Sequence, residues 1–395
     1  MSTVVPVAIV GAGPVGLCTA LRLADLGIAS TVLEAEDAPA RDLRASTFHP
    51  PTLEMLDTLG LAERLIARGL VSPHWQIRMH ETGERALFDM AHIADDTRYP
   101  FRLQCEQGVL CELAEKQVRA SAQIELVRGF CVSDVGQDHA CVTLASDDGR
   151  TQTCQYAIGA DGARSVIRKQ AGFTFEGFTY PETTILATTP FAFEEHIEGL
   201  SNVNYCWSEH GTFSLLRLPD TWRCSLYSDH GESVEQALEP EAIERKLQRI
   251  VPRDEPYEVT EIRPYRIHQR IVEAYRSGRV ILAGDAAHLN SPSGGMGMNG
   301  GIHDAFLLAD TLERVLGGED EGLLDLYSRR RKAIAQEQIL KQAHRNRTRM
   351  QERDPAKRRE ELRALQAIAG DPAKARAHLL KSSMIQGLRE QDSIT

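Results

Sequence analysis

The chain has 395 residues, enough for two or three domains with sizeable cores. Hydrophobic residues make up 42% and charged residues 26%, the proportions of an ordinary globular protein rather than a disordered one. A formal net charge of -11 argues against a nucleic-acid backbone as partner, and no apolar run is long enough to cross a bilayer, so no integral membrane segment is expected. The eight cysteines are scattered without a CxxC pair, and no secretory signal is evident. Reduced thiols and a cytoplasmic location are therefore expected.

The first stretch, "VPVAIVGAG", is β-branched, apolar and stopped by glycine, which predicts a buried strand. "PVGLCTALRLADLG" predicts a helix with Leu17, Leu21 and Ala24 on one face, ended by Gly27. "ASTVLEA" predicts a second buried strand, completing a β-α-β unit and favouring a parallel sheet. "TLEMLDTLGLAERLIARG" predicts an amphipathic helical region. Residues 76–99 and 181–264 differ, with strand-like runs such as "VNYCWS", "FSLLRL" and "WRCSLYS" that suggest a mostly antiparallel sheet. "GRVILAGDAA" returns to a buried strand, and a helix is predicted from near Asn299 through "HDAFLLADTLERVL". From Leu323 onward the pattern is helical and charged, broken at prolines and glycine.

"GAGPVG" sets Gly11, Gly13 and Gly16 in the GxGxxG spacing, after a predicted strand and before a predicted helix. The first glycine permits a tight turn, the second lets a pyrophosphate approach, and the third lets helix and sheet pack. The helix N-terminus offers free N–H groups to phosphates. Glu34, with Ala35 after it, ends the second strand where an acid meets a ribose diol. ADP-ribose of FAD or NAD suits this acid better than NADP.

"GDAAHLNSPSGGMGMNGG", Gly284 to Gly301, contains six glycines. Asp285 follows a predicted strand, where open α/β sheets bind ligands, and its carboxylate can accept from ribitol hydroxyls. The glycines would let backbone lie against a flat ring. A helix start at Met298, Asn299 and Gly300 would direct N–H groups at a ring that turns anionic on reduction.

With these two motifs, "GADGARSVIR" completes a set that resembles the FAD-dependent aromatic hydroxylases similar to para-hydroxybenzoate hydroxylase. The resemblance spans roughly residues 4 to 345. It implies an α/β fold: a Rossmann-like FAD-binding domain, an interleaved antiparallel-sheet substrate domain, and C-terminal helices. The corresponding segments are 1–75, 100–180 and 265–345 for FAD, 76–99 and 181–264 for substrate, and 346–395 for the helical tail. It further implies that Asp285 binds ribitol, and that Pro292, Gly295, Gly297, Met298 and Asn299 line the flavin ring. Asp161 and Arg164 of the DG motif would serve FAD and a passing nicotinamide cofactor. An arginine near the flavin ribose and phosphates would be Arg44, with Arg41 as rival. A glutamine near the flavin would be Gln104, with Gln107 as rival. His303 departs from the family, which commonly has a neutral polar residue before Asp304, and the tail resembles nothing nameable.

The resemblance implies reduction of FAD by NADH or NADPH, binding transiently because no second GxGxxG follows a strand. Oxygen then forms a C4a-hydroperoxide that hydroxylates an aromatic or heteroaromatic ring. Candidates for a general base are Tyr205, Tyr227, His210 and His230, each also readable as a packed or surface residue. Arg217 could meet a substrate carboxylate or lie on a solvent face. His49 and His288 lack neighbours in ligand spacing, so structural roles are expected and no metal site. Alternatives are an epoxidase or quinone-precursor hydroxylase, and a non-catalytic FAD protein. A homodimer is a further expectation.

Overall fold

The computed structural model describes residues 4–39 and 45–395. The first strand, β1 (Val5–Val10), leads into helix α1 (Pro14–Asp25) and strand β2 (Ser30–Glu34). Proline stands in the first turn of α1, where its missing N–H costs nothing. Leu17 and Leu21 are buried against the sheet, and Gly27 leaves the helix at φ 79°. The predicted β-α-β unit is thus present.

Five strands of the first sheet run parallel, in the order Val280–Leu282, Thr151–Gly159, β1, β2, Ile124–Arg128. Antiparallel strands extend it: Arg276–Ser277 at one edge, and Val142–Ser146 and Val132–Gln137 beside Thr151–Gly159. Ala8, Ile9, Ala157, Ile158 and Ile281 are all fully buried, as expected of parallel strands covered on both faces.

A second eight-stranded sheet stands beside it. Its order is His288–Leu289, Glu261–Val272, Phe175–Thr189, Trp222–Tyr227, Gly211–Arg217, Val203–Ser208, His74–Met79, Arg85–Asp89. Pairing is antiparallel throughout except between Val203–Ser208 and His74–Met79. The three runs predicted as strands are strands here. The two longest strands pair from Phe175↔Val272 to Thr188↔Glu261, and so reach beyond the span predicted for this sheet. Its edge strand, His288–Leu289, belongs to the glycine-rich stretch that follows Asp285, so this stretch ties the two sheets together.

A three-stranded sheet of Thr47–Phe48, Arg102–Gln104 and Leu70–Ser72 was not foreseen, because two-residue and three-residue strands carry no readable alternation.

The tail is helical, as predicted: Lys341–Gln351, Pro355–Ala369, Pro372–Ser382 and Ile385–Gln391. Asp354 and Asp371 cap their helices just before prolines, which explains the breaks. Leu362, Leu365, Leu379 and Leu380 of the tail share a core with Trp75, Phe88 and Trp207 of the second sheet. The helix after the glycine-rich loop begins at Met296, three residues before the expected Asn299, and runs to Leu316. Gly294 and Gly295 at φ 104° and 66° turn the chain into it early. No helix among the described residues is long and apolar enough to cross a membrane.

Candidate active site

Three motifs far apart in sequence meet at the C-terminal ends of three adjacent parallel strands. Val10 pairs with Gly159, and Gly159 with Leu282. The chain leaves these residues as the Gly11 turn, the Asp161 turn and the Asp285 turn. Backbone hydrogen bonds stitch them: Ala160 N–H donates to Val10 O at 2.9 Å, and Ala283 N–H to Gly159 O at 3.0 Å. A Cβ on Gly11 would lie 2.5 Å from Ala160 O, so the first two turns touch. Ligand sites of open α/β sheets form at such strand ends.

The three glycines of the first motif divide their work as the spacing predicts. Gly11 has φ 106°, which suits a residue without a side chain. A Cβ on Gly16 would stand 1.9 Å from Gly11 O, so α1 can approach β1 only here as glycine. A Cβ on Gly13 would meet nothing within 4 Å. That open face, beside the N-terminus of α1, is where a pyrophosphate fits. Glu34 is half-buried and reaches the same turn, its Oε2 accepting from Ala12 N–H at 2.6 Å. Ala35 is exposed beside it. Arg41 and Arg44 lie outside the described residues.

The second and third turns are held by groups buried in the protein. Asp161 Oδ2 accepts from Val166 and Ile167 N–H, at 2.7 and 3.1 Å, while its Oδ1 is buried without a partner. Burial pushes this carboxyl up, against the hydrogen bonds that lower it. Arg164 is exposed. Arg168 is the buried one of the pair and clamps both turns, donating to Ala286 O at 3.0 Å and Ala163 O at 2.9 Å. Asp285 is half-buried on the short turn Gly284–Ala286. That turn is fixed by Asp304, whose Oδ2 accepts from Gly284 N–H at 2.9 Å and lies 3.1 Å from His288 Nε2. Arg331 neutralises Asp304 at 2.5 Å and also donates to Gly300 O and Gln391. Burial raises the Asp304 carboxyl, but the Arg331 charge and the hydrogen bonds from His288 and Gly284 outweigh it and hold it down at about 2. Sequence reasoning placed Arg168 in the DG motif and noted Asp304 without giving either a role, and it passed over Arg331, since only the fold shows what they touch.

The glycine-rich loop is laced to the small sheet. Asn299 accepts from His49 N–H at 2.9 Å and donates to Thr47 O and Gly295 O. His49 Nε2–H donates to Gly294 O at 2.8 Å, and burial lowers its pKa to about 3, so the ring is neutral. Gln104, fully buried, accepts from Thr47 Oγ1 at 3.1 Å and leaves its Nε2 donor unpartnered. Gln107 is half-buried at the start of the Gln107–Ala120 helix. Gly297, Met298 and Asn299 lie within the first turn of the Met296–Leu316 helix, and Pro292 is exposed at the preceding turn. The expectation that the loop's glycines all make room for a ring needs correction. A Cβ on Gly300 would meet Ile339 Cδ1 at 2.6 Å, and one on Gly301 would meet Val15 Cγ2 at 2.6 Å. Those two make room for the protein itself.

FAD fits this arrangement. Buried polar atoms of native proteins are normally paired, and two of the buried atoms left unpaired here, Asp161 Oδ1 and Gln104 Nε2, belong to residues predicted to hold it. Two helix N-termini and the open face of Gly13 supply the remaining donors.

Beyond the loop lies a cavity. It is lined by Ser293, Gly294 and Met296 of the loop, by Trp75, Ile77 and Tyr205 of the second sheet, by Arg102, and by tail residues including His378. Of the five predicted catalytic residues, Tyr205 alone lines it. Tyr227 lies on the next-but-one strand, and burial pushes its phenol up. His210 and His230 are exposed in turns, because the chain reverses there. Arg217 pairs with Glu194 at 2.7 Å and does not line the cavity.

Residues 4–342 match the family described as "FAD binding domain". The chain is 35% identical to para-nitrophenol 4-monooxygenase of Pseudomonas sp. (strain WBC-3), over 98% of each chain. It is 34% identical to 6-hydroxy-3-succinoylpyridine 3-monooxygenase of Pseudomonas putida (strain DSM 28022 / S16), over 83% of this chain and 85% of that one. The crystal structure of p-nitrophenol 4-monooxygenase from Pseudomonas putida DLL-E4 superimposes with a TM-score of 0.91, at 32% identity, covering 98% of this chain and 99% of that one. With its strand-end motifs in place and this kinship along nearly its whole length, the chain belongs to the FAD-dependent aromatic hydroxylases.

Proposed function

We propose that this chain inserts one oxygen atom of O2 into a small, single-ring phenol or hydroxypyridine, using a nicotinamide cofactor as reductant. The observation that carries the reading is the cavity between the glycine-rich loop and the second sheet, with Tyr205 on its wall. Relatives that act on a nitrophenol and a hydroxypyridine support the size of the substrate. Bound FAD supplies the oxygen-activating chemistry. The protein's residues do the rest. Gly11, Gly13, Gly16 and Glu34 hold the adenosine end, with Asp285 and Asp161 along the chain of hydroxyls. Gln104 and the N-terminus of the Met296–Leu316 helix meet the ring.

Tyr205 takes or relays the phenol proton, which makes the ring a better nucleophile. Trp75, Ile77 and Met296 keep water out. In this reading the first sheet with its helices is the FAD domain, the second is the substrate domain, and the tail closes over the cavity.

The test is anaerobic flavin reduction by NADH and by NADPH, with and without phenols, nitrophenols and hydroxypyridines, followed by product analysis in air. Faster reduction with one ring class and stoichiometric hydroxylated product support the proposal. Reduction indifferent to every aromatic, with hydrogen peroxide as the only product, sinks it.

A further inference from the structure

The cavity contains an arginine with no carboxylate partner among the described residues. Arg102 is 3% exposed, and its Nε and Nη1 have no hydrogen-bond partner. Its guanidinium lies over the Trp75 ring at 4.6 Å. Tyr205 is the group that favours its charge, and no carboxylate among the described residues does so. Among the other buried arginines, Arg331 pairs with Asp304 and Arg223 with Glu106, while Arg78, Arg168 and Arg358 donate to backbone carbonyls; Arg78 and Arg223 each leave only Nε unpartnered, and neither lines this cavity. A buried, unpaired cation is costly, and a cation over an aromatic face offsets only part of that cost. Arg102 lines the cavity together with Gly294 and Met296 of the loop, so its free donors are beside the place where a ring would be oxidised.

A second group stands with it. His378, from the Pro372–Ser382 helix, lines the same cavity and stacks on Phe88 at 4.6 Å and Trp75 at 5.8 Å. Its Nε2 is buried without a partner. Burial first, then the charges of Arg349 and Arg102, lower it to about 4, so it meets a ligand as a neutral imidazole.

We propose that Arg102, with Tyr205 and His378 beside it, is the substrate-reading group of this cavity and selects aromatic rings that carry an anionic oxygen. Such an oxyanion, a phenolate or a ring carboxylate, completes the coordination that the fold leaves open. A neutral ring of the same size leaves the guanidinium unpaired. The inference rests on the hydroxylase reading for the location of the reacting ring, though not for the binding itself.

The test is titration of the FAD-loaded enzyme, followed by the flavin visible spectrum. The ligands are para-nitrophenol in mildly alkaline buffer, benzoate, para-hydroxybenzoate and para-cresol. The wild type should bind the oxyanions more tightly than para-cresol. Arg102→Gln should weaken them by about 100-fold and para-cresol by no more than about threefold. Arg102→Lys should recover part of the loss, and His378→Gln should weaken every ring less than Arg102→Gln weakens the anions. Unchanged FAD content and thermal transition show that the variants are folded. Benzoate and para-nitrophenol, each lacking the other's group, tell carboxylate from phenolate as the group read. Equal loss of charged and neutral rings in Arg102→Gln overturns the assignment, as does a wild type indifferent to charge, and both leave the hydroxylase reading standing. A wild type that hydroxylates none of these rings, yet binds aromatic anions through Arg102, overturns the hydroxylase reading alone.

Discussion

Asp304 shows how one buried charge can position a site it does not enter. It is fully buried, paired with Arg331, and bonded to Gly284 N–H directly before Asp285. Removing one member of a buried ion pair leaves the other uncompensated, which costs about 3–5 kcal/mol. Asp304→Asn keeps the shape and removes the charge. It should lower the thermal transition and weaken FAD retention, because the Gly284–Ala286 turn loses its anchor. Adding Arg331→Met removes the orphaned cation, so the double variant should regain much of the thermal stability. FAD retention should stay weak if the role is positional. Recovery of neither, seen by scanning fluorimetry, would show that the pair does not act as a unit.

At the scale of elements, the β1–α1–β2 unit separates two uses of glycine that are equal in the sequence. The spacing showed that three glycines are required, and the fold shows what each meets. Gly16→Ala would place a Cβ 1.9 Å from Gly11 O, against backbone that has nowhere to go. It should push α1 off β1 and lower both stability and FAD content of the purified protein. Gly13→Ala meets nothing within 4 Å at φ -77°. It should leave the apoprotein within about 0.5 kcal/mol of wild type while weakening FAD, since the new methyl occupies space meant for phosphate. Equal effects of the two substitutions on apoprotein melting would refute this division. The β-α-β unit, the strands of the second sheet and the tail helices were legible because each has a long period or a flanking glycine or proline. The short strand Arg102–Gln104 was not, nor was the early helix start at Met296, because two left-handed glycines set that start and strand-length patterns do not reach it. Arg102 and His378 escaped for a related reason. Burial without a partner is a property of packing, and sequence spacing has no term for it.

Across the whole molecule, the segments that build the site are joined by side chains that hold the fold only when uncharged. His49 links the small sheet to the loop, and His303 Nε2 lies 3.0 Å from Thr52 Oγ1, joining the Met296–Leu316 helix to the helix Pro50–Thr58. Burial lowers both from 6.5 to about 3. In the unfolded chain each takes up a proton near its ordinary value, and in the folded chain neither does. The stability they allow is therefore fully present above about pH 6.5 and falls as pH drops toward 3, where the folded forms would protonate. Each group contributes a slope of about 1.4 kcal/mol per pH unit within that window. Thermal transitions recorded between neutral and mildly acid pH should fall steeply below about 6, with loss of bound FAD in step. His303→Gln can still bond Thr52 and does not titrate, so it should remove the His303 share of this slope, about 1.4 kcal/mol per pH unit at most. A wild-type transition that stays flat through that window would mean that these rings are already open to water, and that the links between loop, sheet and helix are looser than their hydrogen bonds indicate.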